Sequence, residues 1–317
     1  MSLALALAAL GWDLSEDWRT APAAVAGQIV VPFQGGISVV DPATGRTREV
    51  VQAGQSETIT SVAWSPDYGR VAYGLFHRAA GDQVSSGEIF VAPAGGGTAE
   101  LAVPRDRPGS VADLPRWSPD GQYLYFSYQG LEGRQPVARV ERVRLADGTR
   151  TPLFDDAVTP DVSPDGQAVA FVHDDVNGQS LMVGPADGGQ ARELVSRDVF
   201  TALAGPRFSP DGTRIAFVAV GAGPGAADAG PMDRLASFFA VPVAYAHGEP
   251  WSVWTVRTDG TDRRRASSLQ EDEPLVAWSP DGAWLAVYGT GGLWVVAVDG
   301  STEPRRIAHG SFGAIDW

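Results

Sequence analysis

The 317-residue chain contains no cysteine, no lysine and a single asparagine, Asn177. Without cysteine there is no disulfide, no thiolate nucleophile and no sulfur-ligated metal. All 24 basic side chains are arginine, set against 38 Asp and Glu, for a formal net charge of −14. That balance disfavours nucleic acid and anionic lipid as partners, because both demand a positive surface. The missing lysine, beside abundant Ala, Gly and Pro, fits genome composition better than mechanism. Two apolar runs, at 3–10 and 235–246, are both too short to span a bilayer, and the second contains Pro242. No Ser sits in a G-x-S-x-G elbow, and no phosphate-binding or dinucleotide glycine loop occurs. The four histidines, His77, His173, His247 and His309, are scattered, with no pair at metal-binding spacing.

What the chain does have is repetition. "AWSPDYG" starts at Ala63, "RWSPDGQ" at Arg116, "DVSPDGQ" at Asp161, "RFSPDGT" at Arg207 and "AWSPDG" at Ala277. The residues before Ser-Pro are Trp64, Trp117, Val162, Phe208 and Trp278, spaced by 53, 45, 46 and 70. A second turn recurs six times: "DPATG" (41–45), "APAGGG" (92–97), "ADGT" (146–149), "ADGG" (186–189), "TDGT" (258–261) and "VDGS" (298–301). Between the turns lie short β-branched or aromatic runs such as "YLYFSY" (123–128), "AVAFV" (168–172) and "LWVVAV" (293–298). Each repeat reads strand, Ser-Pro-Asp-Gly turn, strand, loop, strand, Asp-Gly turn, strand. Four antiparallel strands in about 40–45 residues make a propeller blade.

The turn itself has a structural explanation. Proline presets φ, Asp bonds nearby amides, and Gly takes the positive φ that closes the turn. The apolar residue ahead of it is expected to plug the gap between blades. Trp64, Trp117, Phe208 and Trp278 fill that role, and Trp317, 39 residues after Trp278, fills it for the missing sixth copy. The expected fold is therefore an all-β, six-bladed β-propeller, its ring closed by the C-terminal strand completing the first blade, which begins at "GQIVVPF" (27–33). Residues 1–26 form an N-terminal tail, either a trimmed signal remnant or a segment packed on the domain. Residues 27–317 form one propeller with an insertion at about 221–250 in blade five. Residues just before the plugs alternate in sign: Arg116, Asp161, Arg207 and Asp316, with Ala277 between the last two. They are expected to pair between blades.

The five copies of W-S-P-D-G or its variants, a WD40-like repeat, resemble the TolB-like group of six-bladed propellers over about residues 27–317, the insertion apart. The resemblance implies scaffolding or protein binding, often in the periplasm or outside the cell. It carries no family-wide catalytic residues to transfer. Only 26 residues stand ahead of the propeller where TolB itself carries an N-terminal α/β domain, so a Tol-system role is not expected.

The repeated turns occupy one face of the disk, so variation falls on the other. There the loops between second and third strands are short at 33–36 and 288–292 and longer at 74–87, 128–136 and 173–179. Loops that vary on a fixed scaffold are where binding concentrates. Candidate partner-binding residues on this face are Arg105 and Arg107, His173, Asp174 and Asp175, Phe238 and Phe239 in the insertion, and Glu271, Asp272 and Glu273. The expected function is a monomeric, non-enzymatic scaffold for a protein or peptide, periplasmic or secreted, with the cytoplasm as the other compartment. No cofactor is expected. The alternative is a calcium-dependent propeller hydrolase or lactonase acting at the channel mouth, with carboxylates from several blades on the ion. The lone Asn177 argues against the Glu/Asn/Asp ligand set of such enzymes.

Deleting residues 313–317 is expected to lower the melting temperature sharply, since loss of a buried Trp alone costs about 3–5 kcal/mol. An unchanged melting temperature would remove the C-terminal strand from the core.

Overall fold

A computed structural model describes residues 27–33, 35–78, 85–221, 251–267, 269, 271, 272 and 274–317. Among them every regular element is a strand. The insertion, with Phe238 and Phe239, lies outside the described residues except for its first residue, as do residues 1–26 and Glu273.

The first sheet has three strands in sequence order, β1 (Ile29–Phe33), β2 (Gly36–Val40) and β3 (Thr47–Gln52). Next come β4 (Glu57–Trp64), β5 (Arg70–His77), β6 (Ser86–Pro93) and β7 (Glu100–Val103). The following group holds β8 (Val111–Trp117), β9 (Tyr123–Glu132), β10 (Gln135–Arg144) and β11 (Arg150–Asp155). A single parallel pairing, Gly87 with Val111, links these two antiparallel groups into one eight-stranded sheet. Three four-stranded sheets complete the series. They are β12 (Ala157–Val162) to β15 (Arg192–Val195) through β13 (Ala168–Asp175) and β14 (Gly178–Pro185). Then come β16 (Ala202–Phe208), β17 (Arg214–Val220), β18 (Ser252–Arg257) and β19 (Arg264–Arg265). Last are β20 (Leu275–Trp278), β21 (Trp284–Gly289), β22 (Gly292–Ala297) and β23 (Arg305–Ala308). Strand order equals chain order within each, as antiparallel neighbours joined in succession require, with the insertion between β17 and β18 as the one long connection.

Apolar cores sit between consecutive sheets rather than within them. Ile89, Trp117, Leu124 and Phe126 join the β4–β7 group to the β8–β11 group. Phe200, Phe208, Ile215 and Phe217 pack with Leu181 and Val172 of the preceding sheet. One core contains Tyr288, Leu293 and Ile307 of the last sheet, Ile29, Val31 and Val40 of the first, and Ile315 and Trp317 from the C-terminus. Asp316 pairs with Val30 through two backbone bonds of 2.8 and 3.1 Å, and Ala314 bridges to β4 beside Ser61.

The aromatic plugs are all buried, and they carry hydrogen bonds that composition does not reveal. The Trp117 indole donates to Ala63 O at 3.3 Å, Trp278 to Arg207 O at 2.9 Å and Trp64 to Gln28 O at 3.0 Å. Each indole thus bonds the backbone of the preceding sheet, so the plug fixes spacing as well as filling volume.

The Ser-Pro-Asp turns share one geometry. In the second copy, Ser118 Oγ donates to Asp120 Oδ1 at 2.6 Å, and the amides of Gln122 and Tyr123 donate to Asp120 and Ser118 at 3.0 and 2.9 Å. The other copies repeat it with Asp67, Asp165, Asp211 and Asp281. Gly121, Gly166, Gly212 and Gly282 take the positive φ, between 68° and 70°. In the first copy that conformation falls instead on Tyr68, at 56°, because Tyr68 stands where the other copies have glycine. The glycine of "SPDYG" is therefore one residue too late to close the turn.

Three regions read from sequence as loops are largely strand. Strands β9 and β10 pair out to Glu132 and Gln135, leaving a two-residue turn within 128–136. Strands β13 and β14 likewise pair out to Asp175 and Gly178, and β5 extends to His77. Charged residues near the tips break the apolar alternation but not the backbone ladder, which needs only extended φ and ψ.

The five Ser-Asp pairs give a pH expectation. Bonds from the serine hydroxyl, then from a backbone amide, hold Asp67, Asp120, Asp165, Asp211 and Asp281 below the ordinary carboxylate range. A depressed native pKa stabilises the fold above the unfolded value, and that contribution disappears as pH falls through the native one. Thermal melts should lose stability below about pH 4, and combined Ser→Ala changes at Ser118, Ser163, Ser209 and Ser279 should flatten the loss. An unaltered acid limb in that variant would assign the loss to other carboxylates.

Candidate functional site

The inner strands meet at a buried charge cluster. Arg116 of β8 and Arg207 of β16 flank Asp161 of β12, at 3.6 Å (Nε to Oδ1) and 3.4 Å (Nη1 to Oδ1). Arg207 Nη1 also lies 3.8 Å from Asp316 Oδ1. Both guanidiniums are spent largely on backbone: Arg116 donates to Val62 O and Pro115 O, Arg207 to Val276 O at 3.1 Å and to Ile315 O. The carboxylates do the converse. Asp161 Oδ2 accepts the Phe208 amide at 2.7 Å, and Asp316 Oδ2 accepts the Trp64 amide at 2.9 Å. Burial, aided by the neighbouring Arg207, pushes Arg116 down to about 9, and burial pushes Asp161 up against the pull of both arginines.

Above this cluster the inner strands bulge. Pairing slips between Asp113 and Arg116, between Val158 and Asp161, and between Ala204 and Arg207. Each slip contains a residue with positive φ directly before proline: Leu114 at 58°, Thr159 at 53° and Gly205 at 57°. For Leu and for β-branched Thr this backbone is strained. The Leu114 amide is held by Ser61 Oγ at 3.1 Å and by its neighbour Asp113, and the Thr159 amide by Ser127 Oγ at 2.8 Å. Bulges of this kind re-aim side chains, and here the residue after the proline is the axial Arg or Asp.

The candidates on the opposite face are distributed rather than gathered. Arg105, between β7 and β8, donates to Ser86 Oγ at 3.2 Å, and its amide donates to Glu88. Arg107 donates to Leu131 O, and between the two arginines Asp106 accepts the Tyr128 hydroxyl at 3.0 Å. Burial and that carboxylate push the buried Tyr128 up to about 12. This segment straps the β4–β7 group to the β8–β11 group. His173 lies 3.4 Å from Asp175, which accepts Arg197 at 2.9 Å and the Asn177 amide at 2.7 Å. Against the cost of partial burial, these bonds hold Asp175 below the usual carboxylate range. Asp174 accepts Gln179 Nε2 at 3.1 Å. These bonds brace the β13–β14 hairpin tip.

Glu271 is engaged within the fold. It is 7% exposed, accepts the Trp294 indole at 2.6 Å and the Gly291 amide at 2.9 Å, and thus braces the β21–β22 turn. It presents no free carboxylate to a partner. Neighbouring Asp272 is half-buried. Among the described residues no group of three His, Asp or Glu is disposed to hold a metal ion.

Sequence reasoning missed the apolar tips. Leu131 (39% exposed) and Val176 (82%) cap the β9–β10 and β13–β14 hairpins, and Phe312 (42%) lies in the link after β23. Val176 stands in the sequence as an apolar residue inside an otherwise polar turn, Leu131 as one near the end of β9, and Phe312 as one in a Gly- and Ser-containing link. Antiparallel alternation puts these hairpins and links on the face away from the Ser-Pro-Asp turns.

Removing the shared axial carboxylate should be costly. Asp161→Ala leaves Arg116 and Arg207 buried beside each other, and breaking a buried pair in this way costs about 3–5 kcal/mol. Urea denaturation measures it; a loss below about 1 kcal/mol, the range of an exposed pair, would contradict the cluster's role.

No protein-family model matches the chain. It is 30% identical over 217 residues to an uncharacterized Agrobacterium fabrum protein, an alignment covering 65% of this chain and 60% of that relative's length. Among solved structures it resembles TolB from Acinetobacter baumannii with a TM-score of 0.67 and 18% identity, over 93% of this chain and 68% of the other. A nidogen/laminin complex gives 0.66 and 12%, over 91% of this chain and 97% of the other. Oligogalacturonate lyase in complex with manganese gives 0.53 and 16%, over 86% and 71%. At these identities the likeness is one of fold, and the fold is that of a TolB-like β-propeller.

Proposed function

We propose that the chain is a non-enzymatic scaffold that binds a protein or peptide over the face carrying the β5–β6, β9–β10 and β13–β14 hairpins. The observation that carries this is the placement of Leu131, Val176 and Phe312, three of the five exposed large apolar side chains among the described residues, on that one face. Exposed apolar groups set among charged residues are the composition of an interaction surface. Arg105, Arg107, His173, Asp174, Asp175 and Asp272 form its polar surroundings in this reading. Phe238, Phe239 and Glu273 belong to it by sequence position.

The scaffold proposed is a monomeric, six-bladed propeller over residues 27–317, with an insertion at about 221–250 in blade five. In this arrangement 314–317 serve as the inner strand of the first blade. Cores between each pair of consecutive sheets, the last with the first, support it. So do the bonds of Ala314 and Asp316 to β4 and β1. The resemblance to TolB-like propellers supports a periplasmic or secreted location.

An enzyme reading retains one support: the oligogalacturonate lyase with a similar fold holds manganese. Metal analysis of the purified protein separates the readings, since stoichiometric metal favours the enzyme.

The surface is tested by combining Leu131→Asp, Val176→Asp and Phe312→Asp and comparing affinity capture with that of the wild type. A specific partner should be lost with this variant and kept by a Tyr68→Asp control on the turn face. Retention by the triple variant would place binding elsewhere.

A further inference from the structure

Residues 313–317 are attached differently from β4, β8, β12, β16 and β20. Each of those strands pairs along its length with the strand that follows it, as β4 does with β5 from Glu57 to Trp64. Segment 314–317 is held by two isolated bridges, Asp316 with Val30 on one side and Ala314 with Ser61 on the other. Four backbone bonds serve it: both of Asp316 with Val30, Val62 N–H to Ala314 O at 3.0 Å, and Ala314 N–H to Thr60 O at 3.0 Å. The remaining hold is side-chain chemistry. Asp316 caps the Trp64 amide and faces Arg207, whose guanidinium also reaches Ile315 O. Ile315 is fully buried and Trp317 is 5% exposed.

The slot is selective at 313, 315, 316 and 317. At residue 313 φ is 132°, and a side chain there would meet Pro32 Cγ at 2.6 Å and Thr60 O at 2.7 Å, so only glycine fits. Position 315 meets an apolar wall of Ile29, Val31 and Tyr288. Position 316 requires a carboxylate, because the Trp64 amide and Arg207 both point to it. Position 317 takes an indole.

We propose that 313–317 form a releasable strap keyed by the Asp316 carboxylate, and that the slot it occupies is a peptide-recognition site for an extended Gly-x-apolar-Asp-Trp segment. The occupant it fits in trans is the same segment of a second copy. Release leaves Thr60 O, both backbone groups of Val30 and the amides of Val62 and Trp64 unpaired, which recreates two strand edges able to accept an incoming strand. Exchange of an identical element between copies restores every lost contact and requires only a hinge. Residues 309–312 between β23 and the strap, with Gly310 among them, supply that hinge.

The proposal rests on the ring-closure reading, and full-length protein tests the two separately. Fluorescence anisotropy follows a labelled Ser-Phe-Gly-Ala-Ile-Asp-Trp peptide. Full-length Asp316→Ala, whose own strap is weakened while its slot is intact, should bind the peptide at least ten-fold tighter than wild type. A peptide with Ala in place of Asp should bind neither. Equal affinity, or no binding, overturns the recognition site. Light scattering after refolding at high concentration should reveal an exchanged dimer; a protein that binds the peptide yet stays monomeric throughout overturns the second copy as occupant. Hydrogen exchange on wild type keeps the test open should Asp316→Ala not fold. The Val30 and Val62 amides should exchange at least ten-fold faster than those of Val140 and Leu181. Equal protection overturns the strap and leaves closure standing, whereas unprotected Val30 and Val62 overturn closure itself.

Discussion

The inner strands of this propeller converge where they cannot pair with one another as a sheet, so their inward-facing backbone groups need other partners. Buried amides and carbonyls are costly to leave unpaired. Arg116, Asp161, Arg207 and Asp316 supply those partners, two guanidiniums for carbonyls and two carboxylates for amides. Because their charges cancel, the cluster tolerates burial that no single member would. Together with the indole bonds of Trp64, Trp117 and Trp278, the cluster ties through their backbones sheets that meet mainly by apolar packing. The bulges before Pro115, Pro160 and Pro206, strained at Leu114 and Thr159, follow from this arrangement, since they set the direction in which the axial residues point.

The division of labour between the two faces follows from the same geometry. On one face the Ser-Pro-Asp turns satisfy themselves with short internal bonds, which explains their close repetition. On the other, hairpins and links differ in length and composition, and it is there that Leu131, Val176 and Phe312 are exposed. A fixed axis frees that face to vary without threatening the fold.

Much of this was legible in the sequence. The Trp and Phe plugs stood out because they recur at fixed offset from Ser-Pro, and the Arg/Asp alternation showed because the offset places those residues side by side. The bonds of Glu271 could not be read, because its partners, Trp294 and Gly291, are remote in sequence and are brought together by the register of β21 with β22. The partners of Arg105 and Arg107 were hidden for the same reason: Ser86 and Leu131 belong to two different hairpins. Tyr68 could have been recognised, since "SPDYG" displaces the glycine by one. The bulges carry a faint signal, the prolines two residues before the plugs at Pro115, Pro160 and Pro206, but their strain emerges only from strand register.

The central claim is that the axial charges act as one unit across sheets that are not neighbours. A double-mutant cycle on Arg116→Met and Arg207→Met, read by urea denaturation, tests it most directly. These residues lie on β8 and β16, with β12 and its shared Asp161 between them. The account predicts a coupling free energy above about 0.5 kcal/mol. Additivity within about 0.3 kcal/mol, as for independent sites, would contradict it.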